Sequence, residues 1–596
     1  MNILLTAINA KYIHSNLAVY SLRACAGEYR DAVELAEYTI NNQKDYILEE
    51  LYKRKPDVLC FSCYIWNIDY VTDIAREYKK LCPSVPIWVG GPEVSYEVEA
   101  FLRENPYIDG VMIGEGEDTF RELCGYYAHK RKLNDIAGIA FRKKSADGKA
   151  GEIVFTSPRP IKNMSEIPFC YDTLDDFSNR IIYYESSRGC PFSCSYCLSS
   201  VDKTLRFRDT RIVKRELKFF IDQKVPQIKF VDRTFNCNHA HAMELWRFIK
   251  ANDNGVTNFH FEISADLLNQ EELELISDMR PGLIQLEIGV QSTNEVTIKE
   301  IHRTMKLERL KEVVKLIQSG NNIHEHLDLI AGLPYEDYDS FGRSFDEIYE
   351  LKPNQLQLGF LKVLKGSYMF EHAAEYGIVY HDKPPYEVMS TKWLSFDDVI
   401  KIKRVEEMLE VYYNSGQFEI TMKLMECIFD SAFEFFQELG DFYEANGYFG
   451  MSHSRIRRCE ILLEFLALYL HGCDSDDMAS VGLFGNAGDR DNTDFDENAQ
   501  IYKMIQESLI FDLYYRENCK SRPVWATDIG SFKHMTHAYC KNGKLSHVEP
   551  FHYIFPDKHT RKLDELPKYH KEPVWALFHY DMRDPLDHQA LVEYIE

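Results

Sequence analysis

The stretch Ile181–Cys197, "IIYYESSRGCPFSCSYC", joins a run of strand character to three cysteines, Cys190, Cys194 and Cys197, at the spacing C-x3-C-x2-C. Thiolates are the usual ligands of iron-sulfur clusters, and a cubane 4Fe-4S cluster normally takes one thiolate per iron. Three closely spaced cysteines therefore leave one iron open. An open position lets a metal centre bind and activate a substrate group, as it does at catalytic zinc. A Cys3His zinc site is the competing reading, although such sites generally pair C-x2-C knuckles with distant partners that are not evident here. Three plain thiols on a loop are the remaining alternative.

Working outward, "IIYYESS" is the first of six strand candidates, followed by "QIKFVD", "FHFEIS", "LIQLEIGV", "HLDLIA" and "QLQLGFL". Helix-like segments of crossover length separate them, which predicts a parallel structure closed or half closed like a barrel. Catalytic groups in such a design sit on loops after the strands' C-terminal ends, and the three cysteines fall on the first of these. Upstream, "NILLTA", "VELAEYTI", "DVLCFSC", "PIWVGG" and "DGVMIG" alternate with amphipathic stretches such as "NIDYVTDIAREYKKL". That pattern predicts a doubly wound parallel sheet. Residues 137–156 read as a hairpin with its turn at Asp147-Gly148, and 157–168 as a Pro-bearing linker. Cys60 and Cys63 lie inside a strand among aromatic residues and read as structural.

Beyond about residue 396 long helical patterns dominate. An acidic stretch, "DSDDMASVGLFGNAGDRDNTDFDEN" (474–498), reads as a mobile loop, and aromatic strand candidates, "HVEPFHYIF" and "PVWALFHY", lie in the last sixty residues. The expected fold is α/β. It comprises a doubly wound Rossmann-like N-terminal domain (1–165), a partial (β/α)6 TIM-like barrel (166–395) and a mostly helical C-terminal domain with a small terminal β element (396–596).

Composition bounds the function. At 596 residues the chain exceeds what one core organises. Its 45% hydrophobic and 13% aromatic content is globular, and no run of about eighteen apolar residues exists to cross a bilayer. Fifteen cysteines, without a basic leader or cleavage site, argue for metal or redox chemistry in a cytoplasmic protein over a disulfide framework. A net charge of -25 disfavours duplex nucleic acid and favours a small-molecule or peptide substrate.

The loop "CPFSCSYC", with Tyr196 before its last cysteine, resembles the signature of the radical S-adenosylmethionine (SAM) superfamily. The resemblance extends through "FVDRTFN" (230–236), "EISADLL" (262–268), "LEIGVQS" (286–292) with "EIHR" (300–303), "LDLIAGLPYED" (327–337) and "LKGS" (364–367). It implies a 4Fe-4S cluster on Cys190, Cys194 and Cys197 whose open iron is chelated by SAM, and a one-electron reductant such as flavodoxin or ferredoxin. It also implies SAM contacts from Tyr196, Asp232, Glu262, Ser264, Glu287, Gln291, Arg303, Gly332 and Pro334. Glu262, Glu287 and Gln291 stand out, because buried polar groups on barrel strands need a partner.

Residues 55–123 resemble the cobalamin-binding domain that precedes the barrel in one branch of that superfamily. Ser62 and the pair Gly90-Gly91 correspond to the serine and double-glycine turns around the nucleotide tail, and Glu115-Gly116 to a further cobalamin loop. Glycines suit a ligand lying against the backbone. The sequence departs from the cobalt-ligating Asp-x-His-x-x-Gly motif: around His14 the loop reads "NAKYIHSNLAV". His14 is left as a cobalt ligand, a residue lining the corrin, or a loop histidine bonded to the backbone.

Cobalamin beside a 5'-deoxyadenosyl radical implies methylation of an unactivated substrate carbon. Two SAM molecules would then be used, one cleaved to the radical and one re-methylating the corrin. A non-methylating radical cyclisation or rearrangement is the alternative, and a sensor or carrier without turnover is an alternative of another class. The third region, similar to an uncharacterised C-terminal domain of the same branch, is expected to cover the barrel mouth and select the substrate.

Overall fold

The computed structural model describes residues 1–143, 151–471, 497–540, 545–556, 563 and 565–595. The chain divides into two compact units. The first is Met1–Ile323 with Gly332–Glu336 and Phe360–Trp393; the second is His324–Ala331, Asp337–Gly359 and Leu394–Glu596.

The first unit opens with a seven-stranded sheet built from β1 (Ile3–Asn9), β2 (Val33–Thr39), β3 (Val58–Ser62), β4 (Ile87–Gly90), β5 (Gly110–Met112), β6 (Ile139–Arg142) and β7 (Ile153–Phe155), in the order β2-β1-β3-β4-β5-β6-β7. The first five strands run parallel, and β6 and β7 add antiparallel at the edge. Every residue of β1 is buried, as a parallel strand covered on both faces requires. Helices α1 (Leu17–Cys25), α2 (Lys44–Arg54), α3 (Ile68–Leu81), α4 (Val98–Glu104) and α5 (Glu117–Tyr127) supply the cover. In α3 the buried residues Ile68, Val71, Ile74, Ala75 and Tyr78 recur at helical spacing, so one stripe faces the sheet. Strand order reverses between β1 and β3, and ligands of doubly wound sheets bind in the crevice at such a point. The predicted hairpin is the β6–β7 pair; its turn, Asp147-Gly148, lies outside the described residues. Burial pushes the Cys60 and Cys63 thiols well above the ordinary range, which fits core packing.

The same unit continues with β8 (Ile182–Tyr184), the short ribbon β9 (Ser187–Arg188) and β10 (Arg206–Phe207), β11 (Gln227–Phe230), β12 (Asn258–Ile263) and β13 (Ile284–Gln291). Strands β8, β11, β12 and β13 pair in that order, all parallel. Helices α6 (Thr210–Asp222), α7 (His239–Ala251), α8 (Gln270–Ser277), α9 (Glu295–Glu300) and α10 (Leu307–Ser319) form the crossovers. Strict alternation along β13 buries Ile284, Leu286, Ile288 and Val290, and turns Gln285, Glu287, Gly289 and Gln291 to the opposite, inward face.

In the second unit, β14 (His324–Ala331), α11 (Tyr338–Tyr349) and β15 (Gln355–Phe360) complete the six predicted strand segments. Helices from Phe396 to Tyr539 follow, then an antiparallel sheet of Ser546–Tyr553, Tyr569–Arg583 and Ala590–Ile595. Most of the acidic stretch read as a loop, residues 474–496, lies outside the described residues. Buried Asp512 caps the helix Glu419–Met425, accepting from the amides of Ile420 and Thr421 at 2.9 Å each and from Thr421 Oγ1 at 2.7 Å. Even so, burial outweighs these donors and raises its carboxyl to about 7. No described helix is long and apolar enough to cross a membrane.

Candidate active site

The cysteine loop leaves β8 through Ser186 and Ser187 and is closed at its base by the β9–β10 ribbon. Gly189 has φ +85, and a Cβ there would lie 2.6 Å from the Thr204 carbonyl oxygen, so the turn into Cys190 requires glycine. Cys190 and Cys194 are buried, Cys197 is half-buried, and none is in a disulfide. The loop is pinned from outside: Ser195 N donates to Ile301 O and Met369 N to Ser195 O, both at 2.9 Å. Among the described residues no three His, Cys, Asp or Glu side chains converge on a single metal ion. Burial raises the Cys194 thiol, opposed first by the positive charge of Arg303.

Behind the loop, Asp232 is fully buried. It accepts from Ser186 N at 2.9 Å, Ser186 Oγ at 2.5 Å and Ser187 Oγ at 2.7 Å, and His241 Nε2 lies 3.0 Å from Ser186 Oγ. Burial pushes Asp232 up to about 6 and His241 down to about 4. The resemblance puts Asp232 at SAM; in the structure its carboxylate holds the root of the cysteine loop. Ser264 is likewise engaged with its own strand end, its amide donating to Asn236 Oδ1 at 3.0 Å and its hydroxyl to Asp266 at 2.7 Å.

On the inward face, Glu287 meets Lys229 Nζ and His260 Nε2, both at 2.9 Å. These partners overcome its burial and hold the carboxyl down at about 2. Glu262, its register partner on β12, lies 3.9 Å from Arg233. Gln291 is left-handed (φ 78), and its Oε1 is buried with no partner. Gly332 is left-handed as well (φ +87), with a would-be Cβ 2.7 Å from Val388 Cγ1, and the Pro334 carbonyl accepts from Thr297 Oγ1 at 3.0 Å. Arg303 reaches Tyr196 OH at 3.2 Å and Cys194 Sγ at 3.9 Å, and donates to the Gly289 carbonyl.

The crevice between β1 and β3 is lined from both loops. His14 Nδ1 lies 2.7 Å from Tyr183 OH on β8, and His14 forms a parallel bridge with Ile181. Ser15 Oγ adds a bond to Ile181 O at 2.8 Å. The loop after β1 thus runs along β8, tying the crevice to the barrel strand that feeds the cysteines. Burial, then Lys11 and Lys229, lower the His14 pKa, so the ring is neutral near pH 7. A pair that sequence reading missed completes this wall: Tyr64 and Trp66 stack at 4.4 Å and 6°, Trp66 Nε1 donates to Ile8 O at 3.1 Å, and Trp66 stays 40% exposed. The available signal was "CYIW", two large rings directly after a strand end. Ser62 ends β3, buried beside this pair.

The glycines need re-sorting. At Gly91 (φ +123) a Cβ would fall 2.3 Å from Cys63 O, so the chain's own backbone demands glycine there. Gly90 packs on Met112 and Gly116 on Leu22. Gly114 (φ +75) has no atom within 4 Å of a would-be Cβ, which leaves room for a ligand to approach. Glu115, expected at cobalamin, pairs with Arg206 at 2.5 Å and Arg188 at 3.5 Å, and accepts from Lys162 N at 3.1 Å. Arg188, two residues before Cys190, holds both oxygens of Glu185 through Nε at 2.9 Å and Glu117 through Nη2 at 2.5 Å. An ionic knot therefore fastens the start of α5 to the cysteine loop.

Residues 3–124 match the B12 binding domain model, 184–348 the radical SAM superfamily model, and 374–589 a domain of unknown function, DUF4080. The chain carries a B12-binding domain and a radical SAM domain. The cobalamin-dependent radical SAM methyltransferase TokK of Streptomyces tokunonensis is 28% identical over 55% of this chain and 49% of its own length. The chain thus spans about half the length of that relative. The anaerobic magnesium-protoporphyrin IX monomethyl ester cyclase of Rubrivivax gelatinosus is 23% identical over 55% of this chain and 60% of its own. The solved structure of OxsB, a cobalamin-dependent SAM radical enzyme, superposes with TM-score 0.54 at 16% identity, covering 86% of this chain and 80% of that one. That likeness is one of fold. The radical SAM domain has the donor set a three-thiolate cluster needs and an orphaned amide oxygen at Gln291; in the B12-binding domain the space beside the Gly114 backbone is clear of side chains.

Proposed function

We propose that this protein is a cobalamin-dependent radical SAM enzyme that methylates an unactivated substrate carbon. Its regions 1–165, 166–395 and 396–596 would serve cobalamin, SAM and substrate selection respectively. The reading is carried by the three-cysteine loop after β8, tied within one unit to a B12-type crevice through His14 and Tyr183. When bound, the cluster with SAM supplies a 5'-deoxyadenosyl radical, and methylcobalamin supplies the methyl group.

The chain's own residues divide the remaining work. Cys190, Cys194 and Cys197 hold the cluster, and Asp232 and Arg303 hold those cysteines in place. Tyr196, Glu262, Ser264, Gln291, Gly332 and Pro334 line the SAM site. Glu287 stays ionised there, balanced by Lys229. His14, Ser62, Tyr64, Trp66, Gly90, Gly91 and Gly114 line the cobalamin crevice, and Glu115 and Gly116 support it from behind. A reductant of flavodoxin or ferredoxin type delivers single electrons, and the fourteen free cysteines among the described residues fit a reducing, cytoplasmic setting.

The likeness to a cyclase favours one second reading, a radical rearrangement without methyl transfer. Turnover with SAM labelled in its methyl group separates the two: label in the product supports methylation. Formation of 5'-deoxyadenosine with unlabelled product would overturn methylation, and no SAM cleavage under strong reductant would leave a carrier.

A further inference from the structure

Arg303 commits its guanidinium to protein groups around the cysteine loop. Its guanidinium is drawn back against the cysteine loop: Nη1 lies 3.2 Å from Tyr196 OH and 3.9 Å from Cys194 Sγ, and Nη2 donates to the carbonyl of Gly289 on β13. The loop and the turn carrying Arg303 are also joined through their backbones, by Ser195 N to Ile301 O at 2.9 Å. His302, left-handed at φ 54, turns the chain so that Arg303 points back. A Cβ at Gly289 would be in ordinary contact with Arg303 Nη2 at 3.4 Å, so the guanidinium packs closely over this stretch of β13. The cation is therefore fixed on three sides beside one cluster ligand.

We propose that Arg303 sets the reduction potential of the iron-sulfur centre by holding a permanent positive charge and a hydrogen-bond donor against the Cys194 sulfur. This rests on the cluster assigned to Cys190, Cys194 and Cys197 above. An arginine side chain stays protonated at all accessible pH values, so its charge is constant. The centre gains one electron from an external one-electron reductant, and its net charge becomes more negative by one unit. A nearby cation and a donor to sulfur both stabilise that reduced form; net charge and hydrogen bonds to the sulfurs are among the factors that set cluster potentials. In a half-buried site the charge is weakly screened. Arg303 is thus a tuning residue that makes the centre easier to reduce, whatever SAM contacts its neighbours provide.

The test is a potentiometric titration of the reconstituted full chain with dithionite, read by electron paramagnetic resonance, with SAM omitted so that a lost SAM contact cannot move the result. Arg303→Gln should retain iron and shift the midpoint to more negative potential. Tyr196→Phe, which removes one anchor and leaves the charge, should shift it less. An unchanged midpoint in Arg303→Gln with iron intact overturns the proposal. If that variant loses its iron, Arg303→Lys decides, because the shorter side chain keeps the charge but cannot reach the Cys194 sulfur and the Gly289 carbonyl together: a lowered midpoint supports the proposal and an unchanged one overturns it. Failure of the wild-type chain to assemble any cluster is a different result, and it removes the cluster assignment itself.

Discussion

Arg188→Met tests whether the ionic knot fastens the B12-binding domain to the cysteine loop. Arg188 is 18% exposed at its side chain, Glu117 6% and Glu185 23%, so these charges are largely removed from water. Breaking a buried pair by deleting one partner costs about 3–5 kcal/mol, because the charge left behind is uncompensated. Methionine keeps the packing of the aliphatic stem and strands two carboxylates, so the full range applies. Glu117→Gln is the milder control. It retains an acceptor for Arg188 Nη2, which still holds Glu185, and only exchanges a charged hydrogen bond of about 1.5–3 kcal/mol for a neutral one of about 0.5–1.5 kcal/mol. Its cost is then roughly 1–1.5 kcal/mol. Equilibrium urea unfolding without added cofactors, so that ligand binding adds nothing to the native state, should give these losses in the transition of the first unit. The double variant should be less destabilised than the sum of the two. Arg188→Met within about 1 kcal/mol of wild type, or strict additivity, would refute a buried knot.

Two further outcomes follow from particular residues. Gly91→Ala should lose stability sharply, by about 1–3 kcal/mol for overpacking and a similar amount for backbone strain, since its Cβ would lie 2.3 Å from Cys63 O. Gly114→Ala should cost only about 1 kcal/mol and instead weaken hydroxocobalamin binding, read by visible absorbance; equal stability losses would break the contrast. For Asp512 the folded carboxyl titrates near 7, against 3.8 when unperturbed. The folded state then holds a proton the unfolded state has released, so its contribution is full below about pH 4 and is lost as pH rises through 7. Asp512→Asn should flatten that decline in the second unit's unfolding transition, and an unchanged slope would assign the pH dependence elsewhere.

How much of this was legible depends on the distance over which each feature is decided. Most parallel strands of the first sheet were readable because they are buried on both faces and rich in apolar residues, as in β1 and β3. The inward face of β13 was readable from strict alternation, and the cysteine loop from its spacing and its place after a strand. The partners of His14 and Arg188 were not readable. Tyr183 lies 169 positions from His14, and Glu117 lies 71 positions from Arg188. No local pattern encodes such pairs, because any of many charges or hydroxyls could serve until the two sheets are docked. Gly91 was legible as a required glycine, but the long-range source of the demand was not: a Cβ there would lie 2.3 Å from the Cys63 carbonyl, a contact no local pattern encodes.

Asp232, Glu115 and Arg303 expose a common ambiguity in motif reading. Each lies in a segment that resembles a cofactor-contacting motif, and each commits its charge to protein groups: Asp232 to Ser186 and Ser187, Glu115 to Arg206, Arg303 to Tyr196 and the Gly289 carbonyl. A charge that braces a ligand-binding loop must be as specific in identity and position as one that touches the ligand, because a buried charge without its partner is costly. The two roles therefore leave the same trace in sequence. They separate only in measurement: a brace moves stability, loop order or the potential of the centre it surrounds with the cofactor absent, whereas a contact moves affinity alone. In the structure the cysteine loop is held by Asp232 at Ser186 and Ser187 and by Arg303 at Cys194, and the B12-binding domain supplies part of the grip through Glu115 and Glu117 on Arg188. Under the proposed function, the two cofactor sites are in this sense built on one another.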